Sequence, residues 1–297
     1  MDFIYILKFV LLIICSYFVG NISFARIFSK LKKGDITKSG SGNPGSMNML
    51  RTYGFGMGIL TLLCDAIKGA IPALVGLLLF KGYGAADGTI ALYSAGIAAI
   101  LGHNYPVLYK FKGGKGIACS MGVFLVADPM WLGIFFVVAF IYLWIFDYGS
   151  LASLTVISAL IIIEGLKNYG NLIISILLMT IYILVLVAHR SNIRKLLVGK
   201  ENKANLQKSI KKHFNKQKSV AKTEYKQEKT ELLEKKTEID KLKEDDKKKY
   251  RQERAKLLKE KRKIKSEYRS KKRKSYDYAS ILTAIASQDE TASQDNE

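Results

Sequence analysis

The chain has 297 residues, with 46 Lys+Arg against 25 Asp+Glu, a formal net charge of +21, and 49% hydrophobic residues. The average conceals two unlike parts, since residues 1–199 hold 16 basic and 7 acidic side chains while residues 200–297 hold 30 and 18. This excludes one uniform soluble domain: a membrane-like stretch is followed by a charged appendage.

A membrane-spanning helix needs about 20 mostly apolar residues. By that measure spans are predicted near Phe3–Phe24, Phe55–Phe80, Gly88–Tyr105, Ile117–Ala127, Trp131–Phe146, Ser150–Gly165 and Leu172–Ala188. The expected fold is therefore all-α and polytopic with about seven transmembrane helices, the fourth short enough to be re-entrant. Asp2 and the large Ile14 before Cys15 do not fit a cleaved signal peptide, so the first span is expected to be retained. The three cysteines, Cys15, Cys64 and Cys119, lack metal-type spacing and read as small core residues. Loop charge sets the orientation. Arg26, Lys30, Lys32, Lys33, Lys38 and Arg51, then Lys110, Lys112 and Lys115, then Arg190, Arg194 and Lys195 all fall on one side of seven spans, against only Lys81 and Lys167 on the other. The N-terminus is accordingly expected outside and the C-terminus in the cytoplasm.

In chain order, the first polar stretch is Ser39 to Asn48. Gly40-Ser41-Gly42-Asn43-Pro44-Gly45 satisfies G-x-G-x-x-G, but a dinucleotide fingerprint must follow a buried strand, and here an apolar span precedes it and Pro44 intrudes. A polar loop is the better reading, its hydroxyls, amides and N–H groups converging on an anion with Arg51 nearby to grip phosphate bidentately. In the second span, Asp65 and Lys68 are one turn apart and can neutralise each other, a packing role as much as a binding one. Asn21 and Glu164 lie near span ends, within reach of water.

Between the third and fourth spans runs His103-Asn104-Tyr105-Pro106, then Lys110-Phe111-Lys112-Gly113-Gly114-Lys115-Gly116. Three lysines bring charge, and the glycines let backbone N–H groups approach an anion. The spacing is not that of a Walker A loop, which disfavours nucleotide hydrolysis. The bland alternative is a basic loop that only orients helices. Asp147-Tyr148-Gly149-Ser150-Leu151-Ala152-Ser153 sets Ser150 and Ser153 one turn apart, as helix starters or as site hydroxyls. At the end of the last span His189 and Asn192 share a helix face. His189 suits proton transfer and Asn192 an oxyanion contact, although a lone interfacial histidine is also common.

Together these motifs resemble the bacterial acyl-phosphate:glycerol-3-phosphate acyltransferase family, over roughly residues 1–203. The resemblance rests on Ser39 to Asn48 with Arg51, on Gly102-His103 through Lys115-Gly116, on His189-Arg190-Ser191-Asn192-Ile193 with Leu196, Leu197, Gly199 and Glu201, and on Asp65-Ala66-Ile67-Lys68-Gly69. It implies a bacterial plasma-membrane enzyme that moves an acyl group from acyl phosphate to the sn-1 hydroxyl of glycerol 3-phosphate, with its site facing the cytoplasm and no metal or cofactor. Carried over, Ser41, Asn43, Asn48 and Arg51 belong to the phosphate-binding part. Lys112, Gly113, Gly114, Lys115 and Gly116 hold glycerol 3-phosphate, His189 and Asn192 stand at the reacting centre, either Ser150 or Ser153 is the site serine, and Glu201 is structural. Two departures are Met47, where the family usually has Thr, and Asp147, where a basic residue is common.

The remainder, residues 204–297, is expected to be a separate charged cytoplasmic extension, a long exposed helix or disordered, whose partners include anionic lipid, acidic protein or nucleic acid. Tyr276 to Ala286 is a short amphipathic patch able to rest on a membrane. Two other functions fit parts of the chain: a small transporter of a phosphorylated or anionic solute, and a membrane anchor that displays the tail as a scaffold. A transporter would gather its polar groups near the midplane, and the anchor leaves the three motifs without a purpose.

Overall fold

The computed structural model describes residues 3–245, 249, 251–271 and 273, and it divides into two compact units at Ser209/Ile210. The described residues are helical, without strands. The first unit contains α1 (Phe3–Asn21), α2 (Phe24–Leu31), α3 (Ser46–Tyr53), α4 (Phe55–Phe80), α5 (Ala85–Asn104), α6 (Ile117–Ala127), α7 (Pro129–Phe146), α8 (Gly149–Lys167) and α9 (Leu172–Leu197). Six helical segments are long and apolar enough to cross a membrane. The seventh candidate, α6, has 11 residues, which at 1.5 Å per residue is about half the ~30 Å hydrocarbon core.

Local chemistry sets the helix ends. Asp128 accepts from the Trp131 N–H and stands before Pro129, so α7 starts with a capping carboxylate and a proline at its first position. Asn171 accepts from the Ile174 N–H at the start of α9. Small residues set the packing. A Cβ on Gly122 of α6 would overlap the Ala66 carbonyl oxygen of α4, and one on Gly69 of α4 would overlap the Cys119 carbonyl oxygen of α6. Gly20 and Gly102 make the equivalent approach between α1 and α5. Close backbone contact through small residues is how helices associate where lipid offers no hydrophobic gain. Around these seams α9 packs on α5 and α8, and α7 on α8, enclosing a core that includes Tyr93, Phe124, Ile157, Leu160 and Ile181.

Three sequence expectations change. Cys119 is buried, but Cys15 is exposed and Cys64 only partly covered, so Cys119 alone is a core residue. Glu164 and Asn21 are not wetted span ends: they are 3% and 1% exposed. Glu164 accepts a 2.6 Å hydrogen bond from the Tyr93 hydroxyl and pairs with Lys167, which also reaches Asp128. Asn21 donates to the Tyr17 carbonyl. Asp65 and Lys68 do neutralise each other at 2.8 Å, and Lys68 also donates to the Ile22 carbonyl at the break between α1 and α2. A buried pair needs such additional bonds to offset its desolvation.

In the second unit the expected long helix is present. It forms α10 (Leu206–Asp245), which begins in the first unit, and the chain is helical again over residues 251–271. The two arms run antiparallel, joined by Lys235–Glu260 and Lys271–Glu224 ion pairs and a Tyr225–Tyr268 stack. The amphipathic patch expected at Tyr276 to Ala286 lies outside the described residues.

Candidate active site

The turns that join these helices bring the three motifs to one end of the first unit. The loop before α3, the loop between α5 and α6, the start of α8 and the end of α9 surround a cavity of about 1060 Å³. Ser41, Asn43, Asn48, Arg51, Lys112, Gly113, Gly114, Lys115, Gly116, Ser150, Ser153, His189 and Asn192 all line it. So do Asp65 and His103. Seven lysines and arginines face it against two carboxylates, which makes the polar end a site for anions. Its other walls are apolar, with Ile59 and Leu62 from α4, Met121 from α6, and Phe136, Phe140 and Leu143 from α7.

Each loop is held by its own side chains. Asn48, 1% exposed, donates to the Ile36 and Ser39 carbonyls and accepts from the Ser41 N–H, so its amide shapes the 36–41 loop. At the start of α3 the first amides lack intrahelical partners, as at any helix N-terminus. Met47 packs against Gly149, where a Cβ would come within 2.8 Å of its methyl carbon. The residue that departs from the family pattern thus forms the floor beside Ser150.

In the second loop the N–H groups of Gly113 and Gly114 donate to the Asn104 and His103 carbonyls. They are therefore not the anion donors the sequence suggested. The missing side chains are needed for packing instead, because a Cβ on Gly114 would overlap the His103 ring and one on Gly113 the His103 carbonyl oxygen. Charge toward the cavity comes from the lysines. Arg26 fixes the loop by donating to the Lys112 carbonyl at 2.7 Å and lying 4.7 Å over the Tyr109 ring.

Behind the loops is a chain of polar contacts. Lys115 Nζ donates to Asn192 Oδ1, Asn192 Nδ2 donates to Glu201 Oε1 at 2.5 Å, and Ser150 Oγ donates to the same oxygen at 3.2 Å. Glu201 joins α8 to α9, and Asn192 links it onward to Lys115 of the second loop. The Glu201 Oε2 is buried without a hydrogen-bond partner among the described residues. Arg51 donates through Nε to the Lys203 carbonyl and through Nη2 to the Asn202 carbonyl, which ties α3 to the same segment. Asp147, in the left-handed region at φ 57°, accepts from the N–H groups of Asn205 and Leu206 and caps the start of α10. Ser153 donates to the Gly149 carbonyl one turn back, whereas Ser150 reaches across elements. His189, 2% exposed, has Nδ1 2.9 Å from the Val185 carbonyl oxygen, an acceptor only, so Nδ1 carries the proton and Nε2 a lone pair.

Among the described residues no three His, Cys, Asp or Glu side chains gather as a metal site. Burial lowers the Lys115 amine to about 8, with Arg51 and Lys195 acting in the same direction and Glu201 opposing them. An anion brought close to this amine would favour its charged form.

A family model described as "Glycerol-3-phosphate acyltransferase" matches residues 10–199. The chain belongs to the glycerol-3-phosphate acyltransferase family. Relatives in this family include the glycerol-3-phosphate acyltransferases of Aquifex aeolicus, 38% identical over 66% of this chain and 100% of that protein, and of Finegoldia magna, 39% identical over 68% and 98%. Crystal structures of the integral membrane glycerol 3-phosphate acyltransferase PlsY (YgiH) in its glycerol 3-phosphate and lysophosphatidic acid forms are similar in fold, with TM-scores of 0.60 and 0.58. Each is 35% identical and covers 66% of this chain and 95% of its own. The all-α integral membrane fold expected from the sequence is thereby established, and the family match ends at residue 199, before the tail.

Asn104 belongs to the stretch expected to hold phosphate, without a role of its own there. Both side-chain polar atoms of Asn104 are buried beside Gly116 with no hydrogen-bond partner among the described residues. It was visible only as part of the His103-Asn104-Tyr105-Pro106 run, with no spacing signal of its own.

Proposed function

We propose that the protein transfers a fatty acyl group from acyl phosphate to the sn-1 hydroxyl of glycerol 3-phosphate, at the cytoplasmic face of a bacterial plasma membrane. The observation that carries this is one cavity with a strongly basic end, formed by three sequence motifs, and apolar walls between spanning helices. The acyl chain lies along α4, α6 and α7 while both phosphates stay at the polar end. The loop charge bias supports the cytoplasmic orientation.

In the reaction the glycerol hydroxyl oxygen attacks the acyl carbonyl, the bond from that carbon to phosphate oxygen breaks, and inorganic phosphate leaves. The donor is a mixed anhydride, so the protein mainly brings two anions together and stabilises the tetrahedral oxyanion. Lys112, Lys115 and Arg51 offset the repulsion between the phosphates. Ser41 and Asn43 contribute donors at the acyl phosphate, and Lys115 with the second loop holds glycerol 3-phosphate. Asn48 acts through the first loop. The alcohol proton goes to His189 Nε2 or to a phosphate oxygen of the donor. The Nδ1 contact with Val185 supports the first route, since it leaves Nε2 able to accept. Ser150 is the better site serine because its hydroxyl joins the Glu201–Asn192 contacts, while Ser153 bonds within its own helix.

The test is inorganic phosphate release from palmitoyl phosphate by purified protein. Release that requires glycerol 3-phosphate, with stoichiometric 1-acyl-glycerol 3-phosphate, is the expected result. Transfer from acyl-CoA or acyl carrier protein but not from palmitoyl phosphate overturns the choice of donor. Loss of both in folded protein overturns the activity.

A further inference from the structure

The catalytic reading leaves the charged second unit unused. Its charge is unevenly distributed. Residues 207–234 and 261–273, which the antiparallel pairing sets side by side over 222–234, carry 16 Lys/Arg against 5 Asp/Glu, whereas residues 235–260 carry 11 against 7. The first stretch, residues 207–223, has six lysines and no acidic residue. At about 100° per residue, Lys208, Lys211, Lys212, Lys216, Lys218 and Lys222 fall within an arc of about 160° on one face of α10. Ile210, Phe214 and Ala221 lie on the other face and are buried or half-buried. The lysines are exposed.

We infer that residues 207–223 form a binding surface for anionic lipid headgroups. Two features favour lipid over nucleic acid. Lys222 follows the membrane-embedded unit by 13 residues of helix, no more than about 20 Å of chain, so a bilayer surface is always present at high effective concentration. Single-stranded nucleic acid is usually gripped by aromatic side chains as well as cations, and no aromatic is exposed in this segment, where Phe214 is half-buried. A basic helix face beside a membrane unit attracts anionic headgroups through charge alone, so salt weakens the attraction. This inference does not depend on the catalytic reading.

The test uses the full chain in nanodiscs of pure phosphatidylcholine and of phosphatidylcholine with 30% phosphatidylglycerol, with trypsin cleavage followed by mass. In anionic discs, cleavage after Lys211, Lys212, Lys216 and Lys222 is expected to slow at least tenfold. Cleavage after Lys235 and Lys236 serves as an internal control and changes less than twofold. Half-molar NaCl, or the quadruple substitution K211Q/K212Q/K216Q/K222Q followed at Lys208, removes the protection while acyltransferase turnover is retained. Equal protection in neutral discs, or persistence in high salt, overturns the inference. So does protection of these sites by added RNA but not by phosphatidylglycerol.

Discussion

The imidazole of His103 occupies the space that a side chain at Gly114 would need. The ring is also 3.8 Å from Asp65, the carboxylate paired with Lys68, so the buried cluster on α4 and α5 determines where the glycine-rich loop rests. Gly114→Ala is expected to raise KM for glycerol 3-phosphate at least tenfold with a smaller change in kcat. Combined with His103→Ala the two effects should be less than additive, because the ring that clashes is gone. Gly113→Ala should also raise KM and resist that rescue, since its Cβ would meet backbone oxygens. Steady-state kinetics of the three single variants and of the two doubles that carry His103→Ala decide the point.

His189→Ala is expected to lower kcat by roughly 10²–10⁴-fold, the usual worth of a positioned acid or base, in protein shown to be folded by thermal unfolding. Wild-type turnover by the purified variant would remove His189 from the chemistry.

Lys115 gives a pH dependence whose sign follows from its environment. The amine is lowered to about 8, mainly because burial disfavours its charge. If phosphate binds the protonated amine, KM for glycerol 3-phosphate should be level between about pH 7 and 8, where the phosphate is mostly dianionic, and rise above that. Lys115→Arg should flatten the alkaline limb, because a guanidinium does not deprotonate in that range. An alkaline limb unchanged in the arginine variant would assign the titration to another group.

Glu201→Ala removes the oxygen shared by Ser150 and Asn192 and leaves those donors unpaired. A loss of about 1–3 kcal/mol of stability is expected, together with most of the activity. Glu201→Gln keeps an acceptor for Asn192 and should retain more of the fold, measured by thermal unfolding in detergent.

Truncation after Ser209 should leave turnover within twofold of the full chain. Truncation after Lys200 should abolish it, since Arg51, Asn192, Ser150 and Asp147 all lose partners among residues 201–206.

The sequence revealed much of this arrangement because membrane helices announce themselves by apolar length. Six of the predicted spans are found as long helices, the short Ile117–Ala127 segment forms over the predicted residues, and every expected site residue reaches one cavity. What could not be read depends on contacts distant in sequence. Arg51 meets Asn202 and Lys203 about 150 residues away, and no periodicity records such a meeting. The same applies to Glu164, whose position near a span end suggested water while its partner is Tyr93 on α5. The amides of Gly113 and Gly114 were misread because glycine composition signals backbone access to an anion and close packing equally well.

The placement of residues 201–206 has a consequence for biosynthesis. Arg51 is made early, and the carbonyls it grips are among the last atoms of the first unit to emerge. A nascent chain with every span already inserted still lacks one wall of its reaction chamber. Acyl transfer by a ribosome-bound intermediate should therefore begin only after that short strap has left the exit tunnel, which makes catalytic onset a clock for completed assembly.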